Sequence, residues 1–117
     1  MASIITLQKK LISGINHKYH CNVVVNTSQF HRKGSPEPVT ITKVSDTYID
    51  DDGSFQSMPL YGSSSSVYVM LYLRDLFFAL EGREIPQDNE NFMHSKNYVA
   101  SRDTIKEMVN IYGGVHD

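Results

Sequence analysis

The chain contains 117 residues, of which 40% are hydrophobic and 21% are charged. This composition is typical of a globular domain and excludes a disordered chain, and the length predicts one domain over residues 1–117 with one core. The single cysteine excludes an intramolecular disulfide and a multi-cysteine zinc site, which favours a reducing compartment. We recognise neither a signal peptide nor an apolar run long enough to cross a bilayer. We therefore expect a cytoplasmic protein without a membrane partner.

Charge is distributed unevenly along the chain, although the net charge at pH 7 is only −2. Residues 1–43 contain six basic residues and one acidic residue, whereas residues 44–117 contain five basic and twelve acidic residues. Basic elements that pack beside acidic ones explain this asymmetry, and so does a basic face for an anionic partner. Both explanations stay open, because the sequence does not show which charges cluster in space.

The first third of the chain predicts a helix, a strand and a loop. Apolar residues at helical spacing over residues 4–16 predict an N-terminal helix, with Ser3 as its N-cap. A β-branched run over residues 21–25 predicts the first strand. Residues 28–38 contain a glycine, two prolines and two basic side chains, which together predict a mobile basic loop.

The following segments predict the rest of a sheet. Residues 39–44 are rich in Thr and Ile and predict the second strand. Residues 47–49 and 55–60 flank an acidic turn, and its Asp-Gly step predicts a hairpin. We therefore expect a mainly antiparallel sheet of three to four strands.

The second half of the chain predicts helices. Residues 67–80 predict a long central helix, capped by one of the serines at 63–66 and closed by Gly82. We expect Asp88 to cap a short turn and Ser101 to cap a final helix. The core stripe of the central helix is predicted to be Val69, Leu73, Leu76, Phe77 and Leu80. The predicted fold class is α+β, in which the small sheet packs against the N-terminal helix and the long central helix, with a short C-terminal helix.

Potential metal ligands occur near the first strand. His17, His20 and Cys21 lie close together, and His31 follows ten residues after Cys21. The paired spacings of zinc sites are absent, so Cys21 is interpreted as a small apolar strand residue. We predict no metal ligand and no cofactor.

Acidic residues raise the question of catalysis. The three consecutive aspartates at 50–52 lack the alternating ligands of a calcium loop and fit a solvated hairpin turn. Lys43, Asp46 and Asp50 resemble a nuclease trio, but any chain of this composition offers similar sets. No nucleophile elbow and no phosphate-binding glycine motif occurs in the sequence. We predict no catalytic residue, and a small metal-dependent enzyme is kept as a second alternative.

Basic and aromatic residues interleave in two N-terminal segments, 17–20 and 30–33. Such a composition suits a surface that stacks bases and neutralises phosphates. The candidate nucleic-acid-binding residues are Lys18, Arg32 and Lys33. The two aromatic residues of these segments also fit positions in a core at the ends of strands, so this hypothesis stays an alternative.

The central helix is apolar on more than one side. Tyr68, Tyr72 and Phe78 lie outside its core stripe, and aromatic residues dominate the energetics of protein interfaces. These three residues are the candidate contacts for a protein partner, and the protein is expected to be a monomer or a homodimer. The competing interpretation is that this is simply the main core helix, covered by the sheet.

Four short segments within residues 3–92 carry a family resemblance. They read TLQKKLI at 6–12, PVTI at 38–41, LRDL at 73–76 and PQDNE at 86–90. On these segments the chain resembles small uncharacterised proteins of Gram-positive phages and integrative mobile elements, a family without an assigned activity. The resemblance implies a non-enzymatic accessory or regulatory protein that binds a host or element-encoded protein, with nucleic-acid binding as the alternative.

Overall fold

The computed structural model describes residues 3–113, which form four helices and three strands. In chain order the elements are α1 (Ile4–Tyr19), β1 (Val23–His31), β2 (Pro38–Ile49), β3 (Phe55–Ser63), α2 (Ser66–Leu80), α3 (Glu90–Met93) and α4 (Lys96–Tyr112). The strands form one antiparallel sheet in the order β1-β2-β3. This architecture confirms the predicted α+β fold.

α1 begins where the sequence predicts and ends slightly later. The hydroxyl of Ser3 accepts a hydrogen bond from the Thr6 N–H at 3.1 Å, which confirms the predicted N-cap. Gly14 lies within the helix, so its low helix propensity does not end it. The helix ends at Tyr19, after which His20 adopts the left-handed conformation with φ 59°.

The strands are longer than predicted. β1 continues to His31, so the prediction of a loop over the whole of 28–38 was wrong, and only residues 32–37 connect β1 to β2. β2 is one strand of 12 residues where two short strands were predicted. The polar pair Ser45 and Asp46 does not interrupt it, because the buried Asp46 accepts a hydrogen bond from the partly buried Tyr112. The predicted hairpin around the aspartates is confirmed as the connection between β2 and β3.

α2 is the centre of the hydrophobic core. It packs against α1, α4, β2 and β3, and Ser65 caps it by accepting a hydrogen bond from the Tyr68 N–H at 3.2 Å. Four of the five predicted stripe residues are buried, and Phe77 is partly buried. The buried stripe residues are Val69, Leu73, Leu76 and Leu80. Within residues 3–113, no helix combines the length and the apolar character needed to cross a membrane.

α4 closes the outer edge of β3. The amide of Asn97 donates to the Gly62 carbonyl at 2.9 Å, and the Thr104 hydroxyl donates to the Leu60 carbonyl at 2.9 Å. Side chains of a helix thus occupy backbone groups that an open sheet edge would offer to another strand. This packing fixes the position of α4 beside the sheet.

Two predicted helix caps differ from the structure. α3 is capped by Asn89, because Asp88 instead binds the Arg74 guanidinium at 2.9 Å. α4 begins after Ser95, so Ser101 lies inside the helix, where its hydroxyl donates to the Tyr98 carbonyl at 2.8 Å. Several polar residues in each segment are suitable caps, and tertiary contacts select among them.

Replacing Tyr72 tests the packing of the core. Its side chain is fully buried, stacks on Tyr61 with ring centroids 4.8 Å apart, and bonds the Thr104 hydroxyl at 2.9 Å. We expect Tyr72→Ala to lower the free energy of unfolding by about 3–5 kcal/mol, measured by urea denaturation. Tyr68→Ala, at a partly buried position of the same helix, should lower it by only about 1 kcal/mol. Equal losses in the two variants would contradict this assignment.

Candidate nucleic-acid interface

A two-stranded arm projects beyond the three-stranded part of the sheet. β3 pairs with β2 only as far as the pair Thr42 and Ser63, whereas β1 and β2 continue for four further pairs. We call residues 28–41 the arm; its paired part extends about 13 Å past the last residue of β3 at the rise of a strand. No residue of the arm is buried, so its side chains are available for contact on both faces.

The turn of the arm presents two cations. Arg32 and Lys33 are exposed, and the turn is closed by the Ser35 N–H donating to the Arg32 carbonyl at 3.0 Å, with Gly34 at φ 82°. The ion pairs found within residues 3–113 involve other basic residues, so neither Arg32 nor Lys33 pairs with a carboxylate in this part of the chain. Glu37 is the one acidic residue of the arm, which leaves the arm with a net positive charge.

The two faces of the arm differ in chemistry. Side chains alternate between faces along each strand, so Gln29, His31 and Thr40 share one face. On that face, the Gln29 amide donates to the Thr40 hydroxyl at 3.3 Å. The opposite face is apolar and carries Phe30, Val39 and Ile41. One face therefore offers hydrogen-bonding groups, and the other offers an aromatic ring.

The apolar face continues into a groove at the base of the arm. This groove has a volume of about 500 Å³ and lies between the sheet and the first half of α4. Ile41 and Lys43 of β2 line one side, and Asn97 and Ala100 line the other. Lys43 is exposed, so it adds a third cation at the base of the arm.

The third predicted basic residue, Lys18, lies elsewhere. Its ammonium bonds a Glu81 carboxylate oxygen at 2.8 Å and lies 5.6 Å from the ring centre of Tyr19. Hydrogen bonding to Glu81 raises the pKa of Lys18. β1 separates Lys18 from Arg32 and spans about 30 Å over its nine residues. The structure therefore brings Arg32 and Lys33 together and leaves Lys18 at the opposite end of the sheet.

The aromatic residues predicted to contact a protein partner are largely used within the fold. Tyr72 is fully buried, so the prediction that it lies on an exposed surface was wrong. Tyr68 is partly buried and lies 5.3 Å from the Phe92 ring centre. Phe78 is partly buried under Arg83, whose guanidinium carbon lies 4.0 Å from the ring centre. The competing interpretation of α2 as a core helix holds for Tyr72, because α4 covers that side.

The potential metal ligands do not converge in the described part of the chain. Within residues 3–113, no group of three or more His, Cys, Asp or Glu is placed to hold a metal ion. Cys21 is buried, its thiol donates to the Ile15 carbonyl at 3.7 Å, and burial raises its pKa to about 11. A thiol in this state is a packed core group and a poor nucleophile at neutral pH.

Asp46 is a structural carboxylate, and the trio with Lys43 and Asp50 does not form a site. Asp46 accepts hydrogen bonds from the Tyr112 hydroxyl at 2.7 Å and from the Asn22 N–H at 3.1 Å. Lys43 lies three residues before it on β2, on the opposite face of the sheet, and Asp50 lies beyond the end of the strand. Burial and the Asp46 carboxylate raise the pKa of Tyr112, so its hydroxyl stays a donor.

A second buried carboxylate, Asp75, links α2 to α4. It accepts hydrogen bonds from the Tyr98 hydroxyl at 3.0 Å and from the Arg74 guanidinium at 3.1 Å. Burial raises the pKa of Asp75, although the bonds from Tyr98 and Arg74 act in the opposite direction. Its partners come from both helices, which identifies a packing contact between them.

The comparisons with known proteins gave no relative. No protein-family model matches the chain, and neither curated proteins nor solved structures gave a significant match.

Tyr112→Phe tests whether the buried Asp46 depends on the hydrogen bond from Tyr112. The substitution removes the hydroxyl that binds the carboxylate, and we expect a loss of about 1.5–3 kcal/mol in the free energy of unfolding. Urea denaturation with Tyr48→Phe as the control checks this, because Tyr48 is exposed and its variant should change stability by less than about 0.5 kcal/mol. Two indistinguishable denaturation curves would contradict a stabilising role for this hydrogen bond.

Proposed function

We propose that this protein binds nucleic acid through the arm, with double-stranded DNA as the class of ligand that the arm fits best. The observation that supports it is a projecting two-stranded ribbon with two exposed cations at its turn and a row of hydrogen-bonding side chains on one face. Cations hold the phosphates and set the register, while polar side chains contact the edges of bases. The arm supplies both kinds of group.

The dimensions of the arm favour a duplex groove. The major groove of B-form DNA is about 12 Å wide and admits a two-stranded β-ribbon. Gln29 and Thr40 lie side by side on the polar face, and amide and hydroxyl groups are among those that form hydrogen bonds with base edges. The major groove of A-form RNA is too narrow for side chains to enter, so duplex RNA fits the arm less well.

The proposed role is that of a non-enzymatic accessory protein. The buried carboxylates within residues 3–113 are held by hydrogen bonds inside the fold, and the arm offers contact groups without a paired base and nucleophile. The resemblance to proteins of mobile elements agrees with such a role, because their cargo often acts by binding DNA or proteins.

The double variant Arg32→Ala/Lys33→Ala tests the contact with phosphates. It should weaken binding to labelled duplex DNA by about tenfold or more at low salt, measured by fluorescence anisotropy. Because two phosphate contacts are lost, the negative slope of log affinity against log salt should become shallower by about 2.

Lys18→Ala/Arg83→Ala is the matched control for this experiment. It also removes two exposed cations, but from the end of the sheet away from the arm, where both bind Glu81. We expect its affinity for DNA to stay within about threefold of the unmodified protein, because nearby contacts and not net charge determine the counterions released. Equal losses in both double variants would show that the arm is not the binding surface.

Substitutions at two neighbouring residues on opposite faces of the arm distinguish duplex binding from single-strand binding. Gln29→Ala should weaken duplex binding by roughly fivefold or more, because a good contact to a base edge contributes about 1–3 kcal/mol. Phe30→Ala should leave duplex affinity within about twofold of the original, since its ring lies on the other face. Anisotropy titrations of each variant with labelled duplex DNA and with labelled single-stranded DNA measure the two affinities. The reverse pattern, with Phe30→Ala abolishing binding to single strands, would instead identify base stacking as the mode of binding.

A further inference from the structure

The hairpin at the other end of β2 exposes large apolar side chains. We call residues 48–56 the β2–β3 tip. Ile49 and Phe55 form a cross-strand pair within it and are 63% and 67% exposed, and the neighbouring Tyr48 is 45% exposed. Three of the eight large hydrophobic residues that are exposed within residues 3–113 therefore lie in one hairpin. Ile49 and Phe55 share one face of the hairpin and Tyr48 lies on the other, so the apolar patch consists of the cross-strand pair.

The β2–β3 tip is held in one conformation by its own hydrogen bonds. The Asp50 N–H donates to the Ser54 carbonyl at 3.0 Å, and the Gly53 N–H donates to the Asp50 carbonyl at 2.9 Å. The Asp50 carboxylate also accepts hydrogen bonds from the Asp52 N–H at 3.1 Å and from the Gln56 amide at 3.0 Å. A preformed tip loses little conformational entropy when it binds.

The β2–β3 tip is strongly acidic. Three consecutive carboxylates, Asp50, Asp51 and Asp52, occupy its turn, and none belongs to an ion pair found within residues 3–113. Hydrogen bonding with Asp50 and Ser54 lowers the pKa of Asp52 to about 2, so this carboxylate is charged at neutral pH. The surface is thus an exposed apolar pair beside negative charge.

The arm has the complementary character. Its turn carries Arg32 and Lys33 next to the exposed ring of Phe30, which is 45% exposed. β2 connects the two surfaces and spans about 40 Å over its 12 residues. One chain therefore cannot bring its own tip to its own arm. We propose that the β2–β3 tip of one copy docks on the arm of a second copy.

Contact between two different surfaces of the same chain is heterologous. A bound pair still presents a free arm on one copy and a free tip on the other, so the assembly grows head to tail. The contact between two hairpin ends is small, so we expect weak association that needs a high protein concentration. Because the charges on both surfaces are exposed, salt should weaken it further. This inference does not rest on nucleic-acid binding, although it uses the same arm.

Charge-swap variants test the docking without nucleic acid. The arm variant is Arg32→Asp/Lys33→Asp and the tip variant is Asp51→Arg/Asp52→Arg, which keeps Asp50 because its carboxylate holds the turn. Sedimentation equilibrium over a concentration series gives the weight-average mass of each protein at low and high salt. Circular dichroism and thermal unfolding establish that each variant is folded.

The unmodified protein should reach about twice the monomer mass or more at the highest concentration in low salt, whereas each variant alone should stay monomeric. An equimolar mixture of the two variants should associate again, because the acidic arm of one meets the basic tip of the other. A monomeric unmodified protein, or a folded mixture that stays monomeric, would overturn the proposal.

The apolar contribution has its own variant and control. Ile49→Thr/Phe55→Thr should abolish association with every charge intact, while Val67→Thr/Ile111→Thr, at exposed positions outside the tip, should associate like the unmodified protein. Loss of association in both double variants would contradict a specific contact through the tip. DNA titration of the tip variant separates the two proposals. If this variant still binds DNA and the unmodified protein does not self-associate, only the docking proposal is removed.

Discussion

The pairing register of β2 is the constraint on which the rest of the structure depends. β1 covers β2 from Pro38 to Asp46, and β3 covers it from Thr42 to Ile49. Only the overlap between these spans is three-stranded, so each end of β2 is left as a two-stranded hairpin. The overlap contains the buried Val44 and Asp46, and hydrogen bonds from Tyr112 and Asn22 hold Asp46 in place. The arm and the β2–β3 tip are both consequences of this offset.

Much of the fold follows from the sequence because its signals are local. Apolar residues at helical spacing identify α1 and α2, Ser3 caps α1 as predicted, and the Asp-Gly step marks the β2–β3 hairpin. Residues 39–41 of the arm lie in a predicted strand, but residues 28–31 were predicted as a loop because they are exposed on both faces and lack β-branched residues. The glycine and prolines of the arm also indicate a loop, and the strand pairing of residues 28–31 is decided by their partners in β2.

The candidate site is only partly predictable from the sequence, because strand lengths and strand pairing decide which residues come together. Arg32 and Lys33 are adjacent in the chain, so their proximity needs no fold. The separation of Lys18 from them depends on the length of β1, which was underestimated. The burial of Tyr72 depends on α4, which begins before the predicted cap and packs over that side of α2. Gln29 and Thr40 were missed because only the register of the arm places them side by side.

The arm contributes no buried side chain to the core, and this affects which substitutions the protein can accept during evolution. Substitutions in a core are limited by the loss of stability that they cause. Residues 28–41 are largely free of that limit, since none of them is buried in the core. The exposed side chains of the arm can therefore change between descendants of this chain while the scaffold below stays the same.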